Sequence, residues 1–514
     1  MKKNSTNNLK IKIITCLETI ALCMFFLFIA AVFIAANLYN IKISGWNFHS
    51  KFSLIFTVVG LLLLLSITNF NLNITKKQEI WFVPMILFVF SFIIRYYVAE
   101  SIGINTHQIS DYEKAFQFAN PIIGLKDSGY EYFPTWGFYA LTLKGIFAIF
   151  GYSEFTGIIT NVLLQSISVV ILYWLVYLVM NKVKIAVYAA LVYALWPIHI
   201  FYNIVLSTEH FYIFFNLLAL FLMVMVITGK VKNNKMKILM MGLSGCFLGF
   251  SGLFKALDRI ALIAMAIVLI LYGIRKIQWK EKDKFNYFKS YKVYIAGAIF
   301  FTVVYFMTGY IGFNIMENEI GVKVNRNPMA YYLAVGMNEQ RNDWNGEAWE
   351  KYRQRIIESN YDYKEASRIT YQELFQKLEN SNYLGIHFFQ EKFLMAWVDS
   401  GYFYWVTETV NEDSSIINKS GWTSLWFPLT QYFWIIVTGL GLLGTIGLIV
   451  SKDSRNYLLL FSVLVIIGFA LLSLFIDVQP RYKCILYPQF SILAGYGYFL
   501  VERILSKIKV MIQG

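Results

Sequence analysis

The chain has 514 residues, 58% of them hydrophobic and 15% charged, with a mean hydropathy of +0.54. Soluble chains average roughly a quarter charged residues, so this one lacks the charge to cover a water-facing surface and reads as an integral membrane protein. The net charge of +14 does not point to nucleic acid. The basic residues gather in short links at 76–77, 182–184, 230–237, 275–292 and 503–509, alternating with links poor in Lys and Arg, the pattern that marks cytoplasmic loops.

Apolar runs long enough to cross the hydrocarbon core as helices are predicted near 13–37, 52–70, 80–98, 157–180, 185–203, 209–228, 238–253, 259–274, 293–312, 430–450, 457–476 and 483–502. The expected fold is an all-α polytopic membrane protein of about 12 transmembrane helices with a soluble outer-face domain, both termini being cytoplasmic. The first run follows Lys2, Lys3, Lys10 and Lys12 and is too long for the core of a cleaved signal peptide. Cys16, Cys23, Cys246 and Cys484 lie in or beside apolar runs without a CxxC pair, which argues against a disulfide framework or a zinc site. No Gly-rich phosphate loop stands out.

In chain order the predicted parts are N-terminal helices (1–98), a first outer loop (99–156), central helices (157–312), an outer soluble domain (313–428) and C-terminal helices (429–514). The first loop is polar over 101–127, aromatic at Tyr130-Glu131-Tyr132-Phe133-Pro134, and apolar over 136–150 with Lys144 inside. This last stretch is expected to lie along the membrane surface; as a span it would move every later Lys-rich link outside. The least regular part of the bundle is 238–273, where Phe254-Lys255 and Asp258-Arg259 interrupt one apolar stretch. In the outer domain, 361–380 has helical spacing and mixed charge, and Trp344, Trp349, Trp397, Trp405, Trp422 and Trp426 leave two readings open. One is a cap packed on the bundle; the other is a sugar-binding surface of indole rings.

Polar motifs recur at the predicted outer ends of spans. They are Ser110-Asp111-Tyr112-Glu113, Trp196-Pro197-Ile198-His199, Ser207-Thr208-Glu209-His210-Phe211-Tyr212 and Gln479-Pro480-Arg481-Tyr482. Alone, an Asp such as Asp111 reads as a turn or helix cap, and Glu209 after Ser207 and Thr208 as a helix start.

Taken in order, these motifs resemble the GT-C glycosyltransferases, and within them the family 39 group of protein O-mannosyltransferases and bacterial aminoarabinose transferases. The resemblance covers roughly 80–275 and, more loosely, the outer domain and the Gln-Pro-Arg-Tyr region. The acidic residue of that family's first outer loop matches Asp111, its aromatic-Pro stretch matches Tyr132-Phe133-Pro134, and its acidic residue at the outer end of a middle span matches Glu209. Two features depart from the pattern. Asp111 is followed by Tyr112, with Glu113 one further, and two spans precede the one leading into the loop. The resemblance implies a polyprenyl-phosphate-linked sugar as donor, an acceptor glycan, lipid or protein, and an active site on the extracytoplasmic side of the cell membrane.

Chemistry then suggests roles. A sugar on a lipid phosphate already carries a good leaving group, so a cation near the phosphate matters more than a strong acid. Arg481, Lys483, Arg259, Lys255 and Arg95 are the candidates at the membrane boundary, arginine being suited to bidentate phosphate contact; each also reads as a snorkelling side chain. Asp111 is the candidate base for the acceptor hydroxyl, with Glu113 and Glu209 as further candidate catalytic carboxylates and Tyr112, Tyr132, His210 and Tyr482 as substrate contacts. No cofactor is expected; a divalent metal would need His107 and His210 with Asp111 or Glu113, whose spacing matches no compact ligand motif. Two other functions fit many spans with a large outer loop. A polymerase or ligase of envelope polysaccharide would place its key basic residues in the late loop, and a transporter or flippase of lipid-linked sugar would carry charges at mid-membrane depth.

Overall fold

The computed structural model describes residues 2–44, 76–103, 107–126, 128–279, 284–339, 346–399, 406, 426–451 and 457–513. They form helices and turns, with no strand among the described residues. The helices are α1 (Lys2–Ser44), α2 (Lys76–Gly103), α3 (Ser110–Phe118), α4 (Pro134–Phe150), α5 (Glu154–Met180), α6 (Val183–Ala194) and α7 (Pro197–Phe201). After a short 3₁₀ turn follow α8 (Thr208–Ile227), α9 (Asn234–Phe254), α10 (Asp258–Trp279) and α11 (Lys284–Ile320). Shorter helices, α12 (Met329–Gly336), α13 (Glu347–Glu358), α14 (Tyr363–Glu379) and α15 (Ile386–Trp397), precede α16 (Phe427–Ser451), α17 (Tyr457–Ser473) and α18 (Tyr487–Gln513).

Among the described residues, eight helices are long and apolar enough to cross a membrane, or nine with α6 and α7 counted as one broken span. Of the remaining expected spans, α10 and the shorter apolar α17 stand at 259–274 and 457–476, and 52–70 lies outside the described residues. Two expectations need correction. The span expected at 185–203 is bent by 56° after Ala194, because Pro197 has no N–H to give and its ring blocks the preceding turn. The helix expected to end at 312 continues to Ile320, so 313–320 belongs to α11 and not to the following domain. Its polar end is held there by Arg326, which returns to donate to Asn314 Oδ1 (2.6 Å) and Glu317 Oε2 (2.8 Å).

The bundle closes by backbone approach as well as by apolar packing. On α9, a Cβ at Gly245 would lie 2.3 Å from the Phe301 carbonyl oxygen, and one at Gly249 would lie 2.8 Å from that of Tyr305. Small residues spaced along one helix face let two helices come this close in a membrane. The opposite face of α11 exposes Ile299, Val303, Phe306 and Tyr310, an apolar stripe at helical spacing that suits lipid contact. Buried Ser244 Oγ is satisfied within the bundle, donating to the Ala219 carbonyl (2.7 Å).

The described tryptophans of the late segment serve packing. Trp397 is 1% exposed, and its carbonyl accepts from Trp434 Nε1 at 2.9 Å. Trp349 packs with Tyr132, Phe133 and Tyr331, and Trp426 packs on Phe201. Trp344, Trp405 and Trp422 lie outside the described residues.

The charge asymmetry predicts which bundle end faces the cytoplasm, and exposed positions now exist to test it. In a variant lacking its four native cysteines, Lys126→Cys and Lys364→Cys should react with a membrane-impermeant maleimide in intact cells, and Lys232→Cys should react only after lysis. Labelling of Lys232→Cys alone would invert the orientation.

Candidate functional site

The ends of α2, the broken span, α9 and α17 converge on the starts of α8, α10 and α18, and the irregular backbone there gathers the polar motifs. Gln108, fully buried, donates from Nε2 to the Ile204 carbonyl (2.9 Å) and accepts from Leu206 N–H (2.9 Å). This ties the start of the first loop to the end of the broken span. Two residues on, Ser110 adopts φ 54°, a left-handed value uncommon outside glycine, and α3 begins. Asp111 and Glu113 stand in its first turn, where negative charge suits the helix N-terminus.

The last span supplies the cation. Gln479 is extended and Pro480 opens a 3₁₀ turn, Pro480–Leu486, which carries Arg481, Tyr482 and Lys483. Arg481 Nη1 donates to the Tyr112 hydroxyl, and that hydroxyl lies 3.1 Å from the Tyr202 hydroxyl. The guanidinium also sits 5.6 Å from the Tyr112 ring centre and 5.5 Å from that of Tyr482. Lys255 Nζ lies 5.0 Å from the Tyr482 ring centre and forms an ion pair with Glu209. The second Glu209 oxygen accepts from Thr208 Oγ1 (3.2 Å), and Tyr482 donates to Asp477 Oδ2 (2.8 Å). Three chain regions, around 111, 209–255 and 477–482, thus meet at one bundle end.

Asp111 keeps an open side to solvent while protein crowds it from below. That crowding raises its pKa above the ordinary aspartate value, and the positive charges of Arg481 and Lys114 pull it back. Asp111 in turn acts electrostatically on Tyr130 and Tyr332, which marks those rings as its neighbours. Burial likewise raises the pKa of Asp477, opposed by the Tyr482 hydrogen bond and by Arg481.

Beside this cluster lies a cavity of about 430 Å³ with apolar walls from Leu253, Phe306 and Phe313; Arg259 and Arg326 stand at its edge. Tyr305 donates to Asp258 Oδ2 (2.5 Å) within it. A Cβ at Gly252 would sit 2.6 Å from that same carboxylate oxygen, so only glycine leaves room for the pair.

Of the residues singled out in the sequence, Asp111, Tyr112, Glu209, Lys255, Arg481 and Tyr482 come together, and Arg259 stands at the neighbouring cavity. The others point elsewhere. Glu113 accepts from Gln117 on the exposed side of α3 (2.9 Å). Arg95, fully buried in α2, is held by Ser91 Oγ (3.2 Å) and the Tyr193 carbonyl (3.3 Å). Lys483 turns away from Arg481 to the carbonyls of Ala396 and Asp399. Tyr132 packs with Trp349. The His210 ring meets the Tyr202 carbonyl (3.1 Å), on the inner side of that tyrosine. Among the described residues, no group of three or more His, Cys, Asp or Glu is placed to hold a metal ion.

Sequence reasoning missed Tyr202, Tyr332, Gln108 and Asp477. Asp477 left a signal, as the only carboxylate between Asp453 and Glu502. Gln108 left none, because its role is to bridge backbone groups nearly a hundred positions away.

Residues 137–306 match the sequence profile of a family described as dolichyl-phosphate-mannose-protein mannosyltransferase. No curated protein gives a match. The matched stretch runs from α4 into α11 and includes Glu209, Lys255, Asp258 and Arg259, while Asp111 and Arg481 lie outside it. Over that stretch the chain is similar to membrane-embedded sugar transferases.

The buried Glu209–Lys255 pair makes a stability prediction. Removing one partner of such a pair strands a charge and costs about 3–5 kcal/mol. Glu209→Gln and Lys255→Met should each lower thermal stability, and the double variant should recover part of the loss. Additive losses in the double variant would show that the two do not interact.

Proposed function

We propose that the chain is a membrane glycosyltransferase that moves a sugar from a polyprenyl-phosphate donor to an acceptor on the outer face of the cytoplasmic membrane. The observation that carries this reading is the contact of Arg481 with Tyr112, which sets the guanidinium close enough to the adjacent Asp111 for its charge to act on that carboxyl, at one end of a helical bundle. The bundle's middle third is similar to mannosyltransferases that take their sugar from a lipid phosphate.

In this reading the donor's lipid chain runs along the apolar cavity beside Phe306 and Phe313, with its phosphate toward Lys255, Arg259 and Arg481. The acceptor hydroxyl gives its proton to Asp111 as its oxygen bonds to the anomeric carbon. The bond from that carbon to the phosphate oxygen breaks, the electron pair leaves with the phosphate, and the anomeric configuration inverts. Arg481 exchanges its contact with Tyr112 for the phosphate and meets the growing charge with a group already oriented, so little reorganisation is needed. Glu209 acts through Lys255: it holds the ammonium in place and is a positioning residue.

A general base is typically worth 10²–10⁴-fold. Asp111→Asn in nanodiscs, assayed by transfer from polyprenyl-phosphate mannose, should fall by about that factor with donor binding and melting temperature near wild type. The pH profile adds a sign. A base must be deprotonated, so transfer falls as pH drops through the Asp111 pKa. Because crowding raises that pKa, the acid limb should lie above the ordinary aspartate range and should vanish in the asparagine variant. Undiminished transfer by Asp111→Asn would remove Asp111 from the mechanism.

Arg481→Ala should weaken donor binding by about 2–5 kcal/mol, the cost of unpairing a desolvated charge, and Arg481→Lys should restore part of it. Normal donor affinity in a folded alanine variant would leave Arg481 a packing residue.

A further inference from the structure

A second cleft, of about 1350 Å³, opens between the end of α11 and the turn joining α13 to α14. It exceeds the roughly 300–1,000 Å³ of a small-molecule pocket and suits a chain of several rings. We infer that it binds an oligosaccharide as the acceptor; its role in transfer rests on the glycosyltransferase reading, whereas binding itself does not.

The lining is that of a sugar site. Tyr361, Tyr363 and Tyr371 all face the cleft. Pyranose rings present C–H faces, and those weakly positive hydrogens meet the negative face of an aromatic ring. Exposed amides at Asn327 and Asn360 offer both donors and acceptors to hydroxyls.

The rings are held in advance. Tyr363 donates to the Lys323 carbonyl (3.1 Å), and Tyr363 and Tyr371 pack against the small core of Tyr132, Tyr352 and Ile356. Tyr361 is 51% exposed at φ 60°, directly after Asn360 at φ 52°. Asparagine is ordinary in the left-handed position that ends a helix; a bulky tyrosine immediately after it is not. The chain keeps an unfavourable backbone conformation at the residue that pushes a ring into the cleft, and such outliers cluster where ligands bind.

Charge narrows the class of ligand. Arg326 is taken up by Glu317 and Arg368 by Glu365, and Lys323 and Lys364 share the lining with the carboxylates of Glu131 and Asp362, so the cleft does not present the bare cationic stripe that a polyphosphate or nucleic acid requires. No open sheet edge exists among the described residues to pair with an extended peptide. A neutral glycan fits what is left.

Position supplies the connection. Arg326 lines both this cleft and the 430 Å³ cavity. Glu131 lines the cleft, its carbonyl accepts from Asn325 N–H (2.7 Å), and three residues later Pro134 lines the cavity. A glycan lying across Tyr361 therefore has its end beside the proposed donor site.

The test is binding to the full-length protein in nanodiscs, read by saturation-transfer NMR and calorimetry. The probes are tetrasaccharides of mannose, glucose, rhamnose and N-acetylglucosamine, with a glycerol-phosphate hexamer and an unstructured peptide as the other arms. A neutral tetrasaccharide should bind. Tyr361→Asn, which keeps a residue suited to the left-handed backbone, and Tyr371→Leu should each weaken it about tenfold, the scale of one lost aromatic contact. Melting temperature should stay unchanged. Binding of only the phosphate polymer or the peptide, no binding at all, or sugar binding indifferent to both tyrosine changes would overturn the proposal. Sugar binding without any transfer from polyprenyl-phosphate mannose would leave the cleft standing and remove the glycosyltransferase reading; transfer without sugar binding would do the reverse.

Discussion

The arrangement turns on one buried cation. Arg481 is 9% exposed, and a guanidinium taken that far from water is tolerable only if its surroundings replace the lost hydration. Tyr112, Tyr202 and Tyr482 do this with a hydroxyl donor–acceptor chain and two ring faces. These residues come from the first loop, the broken span and the last span, 369 positions separating the first partner from Arg481. Satisfying this one charge therefore fixes where three distant pieces of chain stand. It also explains why the backbone here is irregular. A continuous helix through Pro197 would keep the Tyr193 carbonyl to itself; with no N–H at Pro197 that carbonyl accepts from Arg95, and the end of the helical stretch at Ile204 leaves the carbonyls of Tyr202 and Ile204 to His210 and Gln108.

Much of the bundle was legible because a lipid solvent imposes a simple rule. Each span must be apolar over about twenty residues, and the stretches now seen as α1, α2, α5, α8, α9, α16 and α18 follow it plainly. The interruption before Asp258 was also visible, and α9 does end at Phe254. The bend at Pro197 was missed because hydropathy does not register a missing N–H. The length of α11 was missed because Glu317 looks like a loop residue until Arg326 folds back onto it. The amphipathic spacing of 361–380 was sound, and α14 occupies it. Tryptophan count left two readings open, since a Trp such as Trp397 is as useful inside a core as on a sugar-facing surface.

For the site, motif order near span ends was the useful signal. It brought Asp111, Glu209 and Arg481 onto one list although they are far apart in sequence. What it did not resolve was direction. Neighbouring residues on a tight turn point to opposite sides, so Arg481 faces Tyr112 while Lys483 faces the carbonyls of Ala396 and Asp399. Similarly, Asp111 lies within the electrostatic reach of Arg481, whereas Glu113 faces Gln117. One-letter proximity carries no such information; the helical register that decides it depends on where each turn begins, and the left-handed backbone of Ser110 and the fixed φ of Pro480 set those starts.

A division of labour among the cations follows from their chemistry. Lysine has three donors on a compact head, which suits it to gather carbonyls where chain ends meet. Lys392, fully buried, does so with the carbonyls of Gly336 and Ile476, both at 2.6 Å. It thereby pins the end of α12 onto the strip leading to Asp477 and Arg481. Gly336 is needed for the same contact, since a Cβ there would lie 2.1 Å from the Ile476 carbonyl carbon. The domain that bears the proposed glycan cleft is thus fastened directly to the segment that carries Arg481. A rigid joint of this kind has a mechanical consequence: a chain bound across Tyr361 is referenced to the same framework as the cation, so its end is presented at a fixed distance from the reacting centre. Flexible tethering would give up that alignment, and where a misplacement of about 1 Å costs 10²-fold, alignment outweighs burying the Lys392 ammonium with the two carbonyls that secure it.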